Sequence, residues 1–171
     1  GGDSNGAGPD AVAGDYGGIV FRGDSDLEDA GVFLNQVSHA DIKHGGGKVF
    51  VDSRESVFTP VHIINARPGV SYNLIASSAD AAVSATPDSF EESSNRIGPN
   101  IGGNFLVDNT IDGLFIRVLT PSGSTINKLT VAGRLDDTDI THVLTENLII
   151  AGGAGGPYWN GSRLEARPAG R

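Results

Sequence analysis

Apolar and polar residues alternate in short runs along most of this chain, and the runs return at a regular distance. Ile75 and Leu106 each lie two residues after an asparagine, Asn73 and Asn104, and eight before an apolar residue, Val83 and Leu114; they are 31 residues apart. Ile42 lies 33 residues before Ile75, and Ile140 lies 34 after Leu106, so four copies define one arm of a repeat. A second arm reads Val49 with Val51, Val83 with Ala85, Leu114 with Ile116 and Leu148 with Ile150, each pair alternating as a half-buried strand requires. A third, looser arm reads at Val32/Leu34, Val61/Ile63, around Ile97, Leu129/Val131 and Leu164/Ala166. Ile19 and Phe21 supply the second arm of a partial opening turn.

A period in the low thirties with three short strands leaves no room for helical crossovers, and apolar spacing of the i, i+3, i+4, i+7 kind is almost absent. A single coil of this kind exposes its inward aliphatics. Stacked coils bury them in columns about 4.8 Å apart. The pattern therefore predicts an all-β fold, a right-handed parallel β-helix of about four to five coils with three short strands per coil, the hand following from the rule for parallel crossovers. The expected interior columns are Ile42, Ile75, Leu106, Ile140 and Val49, Val83, Leu114, Leu148. Asn73 and Asn104 fall on the inward side at a tight corner, where an amide can bond the corner's backbone and its twin in the next coil.

Composition narrows the reading. With 171 residues and no break in composition, the chain is expected to be one β-helix domain over residues 15–171, preceded by a flexible Gly-rich linker at 1–14. The opening "GGDSNGAGPD", without Met or an apolar leader, is expected of a processed protein or of a segment cut from a longer one. Gly contributes 25 residues while aromatics are 6%, which implies many turns around a thin aliphatic core. A net charge of −9 argues against nucleic acid or an anionic membrane surface as partner, because the phosphate interaction would be repulsive. No apolar run is long enough to predict a membrane span, and zero cysteines remove disulfides and thiolate metal sites.

The stretches "NLIASSADAAV" and "NFLVDNTIDGL" carry N-x-[IL]-x-x-[SN], then a small residue and an alternating apolar strand. In this they resemble the repeat of right-handed parallel β-helix proteins of the pectin-lyase-like group. "KLTVAGRLDDTDITHVLTENLIIAG" is likewise similar to β-helical stretches of very large secreted or surface-anchored bacterial proteins. The resemblance implies an extracellular or cell-surface location. It does not by itself fix an activity.

Enzymes of the resembled group hold acidic residues on one outward strand face. Here the outward positions of the second arm read Phe50, Ser84, Phe115, Ile149 and Asp52, Thr86, Arg117, Ala151, which offers one carboxylate and no pair at glycosidase spacing. "HGGG" at His44 to Gly47 copies an oxyanion-hole motif, but no Gly-x-Ser-x-Gly elbow accompanies it, so it reads as a glycine corner. His39, His44, His62 and His142 lack ligand spacing. The acidic runs "GDSDLEDAG" (Asp24, Asp26, Glu28) and "LDDTD" (Asp136, Asp137, Asp139) are the candidate calcium ligands, though the first departs from the EF-hand pattern at its sixth and twelfth positions. Phe115 and Trp159 are candidate glycan-stacking rings. No catalytic residue is expected.

The functional expectation is a structural, non-catalytic module that stacks end to end with neighbouring coils or identical subunits in a surface fibre, filament or adhesin. No cofactor is required for this, calcium being the one candidate. The alternative is a calcium-dependent β-helix that binds or cleaves polysaccharide.

Overall fold

The computed structural model describes residues 10–51, 53–118, 128–150 and 156–167. The first coil consists of β1 (Ile19–Arg22), β2 (Gln36–Ser38) and β3 (Asp41–Lys43). A hairpin of β4 (Lys48–Val51) and β5 (Arg54–Val57) then leads to the second coil, β6 (Val61–Ile64), β7 (Gly69–Ser71) and β8 (Leu74–Ala76). The third coil runs through β9 (Ala81–Ala85), a small hairpin of β10 (Glu92–Ser93) and β11 (Arg96–Ile97), then β12 (Asn100–Gly102) and β13 (Phe105–Val107). After β14 (Ile111–Ile116) come the short strands β15 (Lys128–Leu129), β16 (His142–Val143) and β17 (Ile149–Ile150), and a hairpin of β18 (Gly156–Trp159) and β19 (Leu164–Arg167).

Eleven of these strands stack into three parallel sheets, and β15 and β17 form a separate parallel pair. The first is β1-β6-β9-β14-β16, the second β2-β7-β12 and the third β3-β8-β13. The protein is an all-β parallel solenoid of about three turns, fewer than the spacing predicts.

Register follows the hydrophobic columns. Ile42, Ile75 and Leu106 are in register in the third sheet, and Val37, Val70 and Ile101 in the second. The first sheet aligns Ile19, Val61, Val83, Leu114 and His142, with Phe21, Ile63, Ala85 and Ile116 as a parallel column. Val61, Ile63, Val70, Ile75, Val83 and Leu114 have no exposed surface. Burial of each such side chain stabilises the fold by about 1.5–3 kcal/mol, the largest favourable contribution available to a chain with few aromatics.

The second expected column needs correction at both ends. Val49 lies in the β4–β5 hairpin, and the residue below Val83 is Val61; above Leu114 sits His142, not Leu148. The reason is that insertions make the first sheet repeat unevenly. Its partners are 42, 22, 31 and 28 residues apart (Ile19, Val61, Val83, Leu114, His142), whereas the other two sheets repeat at 33 and 31. The expected third arm is displaced likewise: Val61/Ile63 belong to the first sheet, Ile97 to a hairpin, and Leu34 is exposed. Leu129 pairs with Ile150, Leu164 lies in the last hairpin, and Val32 makes an isolated bridge to Leu27.

Sharp corners keep the coil narrow. Between the second and third sheets the turn residue is His39, Tyr72 or Gly103, all left-handed at φ 54°, 56° and 65°. Between the third and first sheets it is His44, Ser77 or Asp108, at φ 60°, 53° and 57°. Left-handed backbone is unfavourable for non-glycine residues, so the stacked strands on either side must hold it. At Gly103 the missing side chain also makes room for the neighbouring corner, since a Cβ there would lie 2.6 Å from the Tyr72 ring where that ring now sits. The "HGGG" run is a packed corner: a Cβ on Gly47 would meet the Gly14 carbonyl at 2.1 Å. Gly14 itself donates to the His44 carbonyl at 3.0 Å, so the last residue of the expected linker is tied to that corner.

One ionic strut ties the insertions together. Arg67, 3% exposed, donates its backbone N–H to Glu28 Oε1 (2.8 Å) and its Nε to Glu28 Oε2 (2.9 Å), while Nη1 reaches the Ser93 carbonyl and hydroxyl. Phe33 lies under the guanidinium, 4.6 Å from it. Loops of the first and third coils thereby close on the second.

Candidate functional site

Besides the Arg67 strut, two groups of polar side chains stand out among the described residues, one at the corner after the second sheet and one on the outer face of the first.

At the corner, Asn73 accepts the Ala40 N–H at Oδ1 (3.0 Å) and donates Nδ2 to the Val37 carbonyl (3.1 Å). Asn104 repeats the arrangement one coil on, taking the Asn73 N–H (3.0 Å) and donating to the Val70 carbonyl (2.8 Å). The two amides also bond each other at 3.0 Å. Asn109 makes a similar rung at the next corner, accepting the Ser78 N–H and donating to the Ile75 carbonyl.

Over the first sheet, the outward column is Val20, His62, Ser84, Phe115 and Val143. Ser84 is fully buried and His62 is 1% exposed. His62 Nδ1 lies 2.7 Å from Ser84 Oγ, Thr59 Oγ1 lies 2.7 Å from the same atom, and Arg117 Nε donates to it at 3.2 Å. Arg117 also pairs with Asp80, and Phe58 stacks on the His62 ring at 4.3 Å.

A Ser–His contact invites comparison with a nucleophile and its base, and counting protons decides against it. Thr59 Oγ1 gives its proton to the Val61 carbonyl (2.5 Å), so at the Thr59–Ser84 contact the serine is the donor. With its only proton so used, Ser84 accepts from both Arg117 and His62, and the network assigns the His62 proton to Nδ1. The imidazole is therefore a donor to the hydroxyl, opposite to what general-base activation needs. Burial first, and the nearby Arg117 charge second, lower the His62 pKa to about 4, which keeps the ring neutral.

The expected site residues are scattered by comparison. Asp24 pairs with Arg22, Asp26 accepts the backbone N–H groups of Leu27, Leu34 and Asn35, and Glu28 is held by Arg67. Asp136 pairs with Arg134, and Asp139 accepts the Gly103 N–H at 3.2 Å. Burial, with Asp136 and Asp139 beside it, raises the Asp137 pKa to about 6. Among the described residues no three His, Asp or Glu side chains form a group that could hold a metal ion.

Ile140 is buried and shares a cleft with Leu106, without strand pairing between them. Phe115 is half-buried with Arg117 against its ring, and Trp159 is 64% exposed on the last hairpin. The two rings lie in different sheets. Of the expected outward positions, Ser84, Phe115 and Arg117 do flank the first sheet's outer face; Phe50 and Ile149 do not, and Asp52 and Ala151 lie outside the described residues.

The sequence pattern singles out neither Thr59 nor Asp80, and marks His62 only as a histidine without ligand spacing. Reading Val61/Ile63 as the arm beneath Val83 would have placed His62 under Ser84.

Comparison of the chain with protein-family models, with curated proteins and with solved structures finds no match.

Proposed function

We propose that this chain is a structural, non-catalytic β-solenoid module of an extracellular or cell-surface bacterial protein, akin to the pectin-lyase-like β-helices, and that it joins end to end with further coils or identical subunits in a fibre, filament or adhesin. The observation that carries this reading is the proton order over the first sheet. The one Ser–His hydrogen bond among the described residues is buried, runs its protons away from nucleophile activation and is packed by Thr59, Arg117 and Phe58. What remains for the solenoid to offer is its stiffness and its ends.

The first coil supports end-to-end joining. β1, β2 and β3 each stand at the edge of their sheet, so alternate backbone groups point away from β6, β7 and β8. Light scattering and negative-stain electron microscopy across a concentration series test the proposal. Rods that lengthen with concentration are the expected result. A chain that stays monomeric at high concentration and releases unsaturated ends from an acidic polysaccharide would overturn it.

A further inference from the structure

Among the described residues the asparagine ladder stops at Asn104. In the first two rungs the backbone N–H at the corner, of Ala40 and then of Asn73, is taken by the amide oxygen of the coil above. The carbonyls of Val37 and Val70 receive the corresponding amide N–H. The next rung would take the Asn104 N–H and donate to the Ile101 carbonyl. Among the described residues no side chain does either.

The strand that follows is open as well. Phe105 donates to the Asn73 carbonyl and Val107 accepts from Ser77, so these two residues face β8. By the alternation of a parallel pair, Leu106 directs its N–H and carbonyl to the opposite side. β13 is the edge of its sheet.

The rest of this end is occupied. Asp139 takes the Gly103 N–H just after β12, and β16 covers β14. Between them lies a shallow, solvent-open cleft lined by Ile101, Gly103, Asn104, Leu106, Asp139 and Ile140. The chain passes from Asp139 to β16 without adding a strand to the third sheet.

We propose that this cleft is a strand-accepting site whose occupant is an extended segment carrying Asn-x-Leu or Asn-x-Ile, added parallel to β13 in the register that β8 and β13 share. The carboxamide completes the ladder, the strand backbone pairs with Leu106, and the aliphatic residue two places on covers Leu106 and Ile140. The chemistry is β-strand addition with one buried amide as the specificity element. Ladder continuity chooses the amide: the same two backbone groups are satisfied by Asn73 and by Asn104 in the coils below.

The proposal deepens the end-joining reading by locating one of the ends, and its test is separate. The probe is the chain's own rung, a capped peptide of residues 71–77 (SYNLIAS), titrated into the full chain by calorimetry and followed by amide chemical shifts. The expected result is saturable binding at one site, with shifts at Asn104 and Leu106. A peptide carrying Asn73→Ala should bind at least tenfold more weakly. Leu106→Pro in the protein keeps the β8 bonds made by Phe105 and Val107 and removes the outward N–H, and should abolish binding; if that variant does not fold, the two-peptide comparison on the native chain decides. Equal affinity for both peptides, no saturable binding, or shifts confined to β1–β3 would overturn the proposal. Peptide binding by a chain that forms no rods would sink end-joining and leave this site standing.

Discussion

The ladder at Asn73 and Asn104 and the cluster at His62, Ser84 and Arg117 both put polar side chains in or against the core, yet they are built differently. Each rung of the ladder serves backbone groups, and successive coils supply the same residue at the same place. The cluster serves side chains, with Thr59, His62, Ser84, Arg117 and Asp80 each bonded to another and none repeated in the next coil. A repeated rung tolerates lengthening of the rod. A single cluster fixes one coil against its neighbours and depends on every member.

The strongest way to break this comparison is Arg117→Met. It leaves the Asp80 carboxylate, 22% exposed, without its partner, and should cost about 3 kcal/mol or more in chemical denaturation. Loss of under 1 kcal/mol would show the cluster to be incidental packing.

Removing a rung comes next. Asn73→Ala orphans the Ala40 N–H and the Val37 carbonyl and should cost about 2–3 kcal/mol. Asn104→Ala, at a half-buried site, should cost less, and the order of the two variants checks the ladder directly.

Acid separates the regions further. The folded pKa of His62, about 4 against an ordinary 6.5, means that the unfolded chain binds this proton first. Its contribution is complete above pH 6.5 and is lost as the pH falls toward 4, by up to about 3 kcal/mol. His62→Asn, which keeps a donor for Ser84, should remove that slope from a pH series of denaturation curves. His142, whose pKa burial also lowers, adds in the same sense.

The smallest effect has the opposite sign. Asp137, raised to about 6 from 3.8, binds its proton first in the folded chain, so its contribution is present at low pH and is lost as pH rises through 6. It offsets part of the His62 loss. Asp137→Asn should steepen the acid decline relative to the unmutated chain, and an unchanged slope would contradict the burial of that carboxyl above β12.

The ladder was legible because it is periodic. Asn73 and Asn104 each stand two before an aliphatic residue, and the pairing of Ile42, Ile75 and Leu106 follows from the same count. The cluster was not legible because its members lie in arms whose spacing the insertions disturb. Ten residues of hairpin, Lys48–Val57, separate the third sheet from the first in the opening coil, and this carried Val49 into a false column and hid His62 beneath Ser84. The acidic runs were legible only as closely spaced charge. Which groups meet their carboxylates in space, Arg22, Arg67, Arg134 and backbone N–H groups, came from the fold.

Alternation of aliphatic and polar residues, a return distance in the low thirties and the lack of helical spacing determined by themselves that this chain forms a parallel solenoid with an amide ladder at one corner, because those features are local and each coil must bury the same face. Which coil lies on which was decided only by tertiary packing. Corner insertions cost the stack little and alter the count freely, so strand partners, proton order around Ser84 and the open edge of β13 emerge only when the coils are closed upon one another.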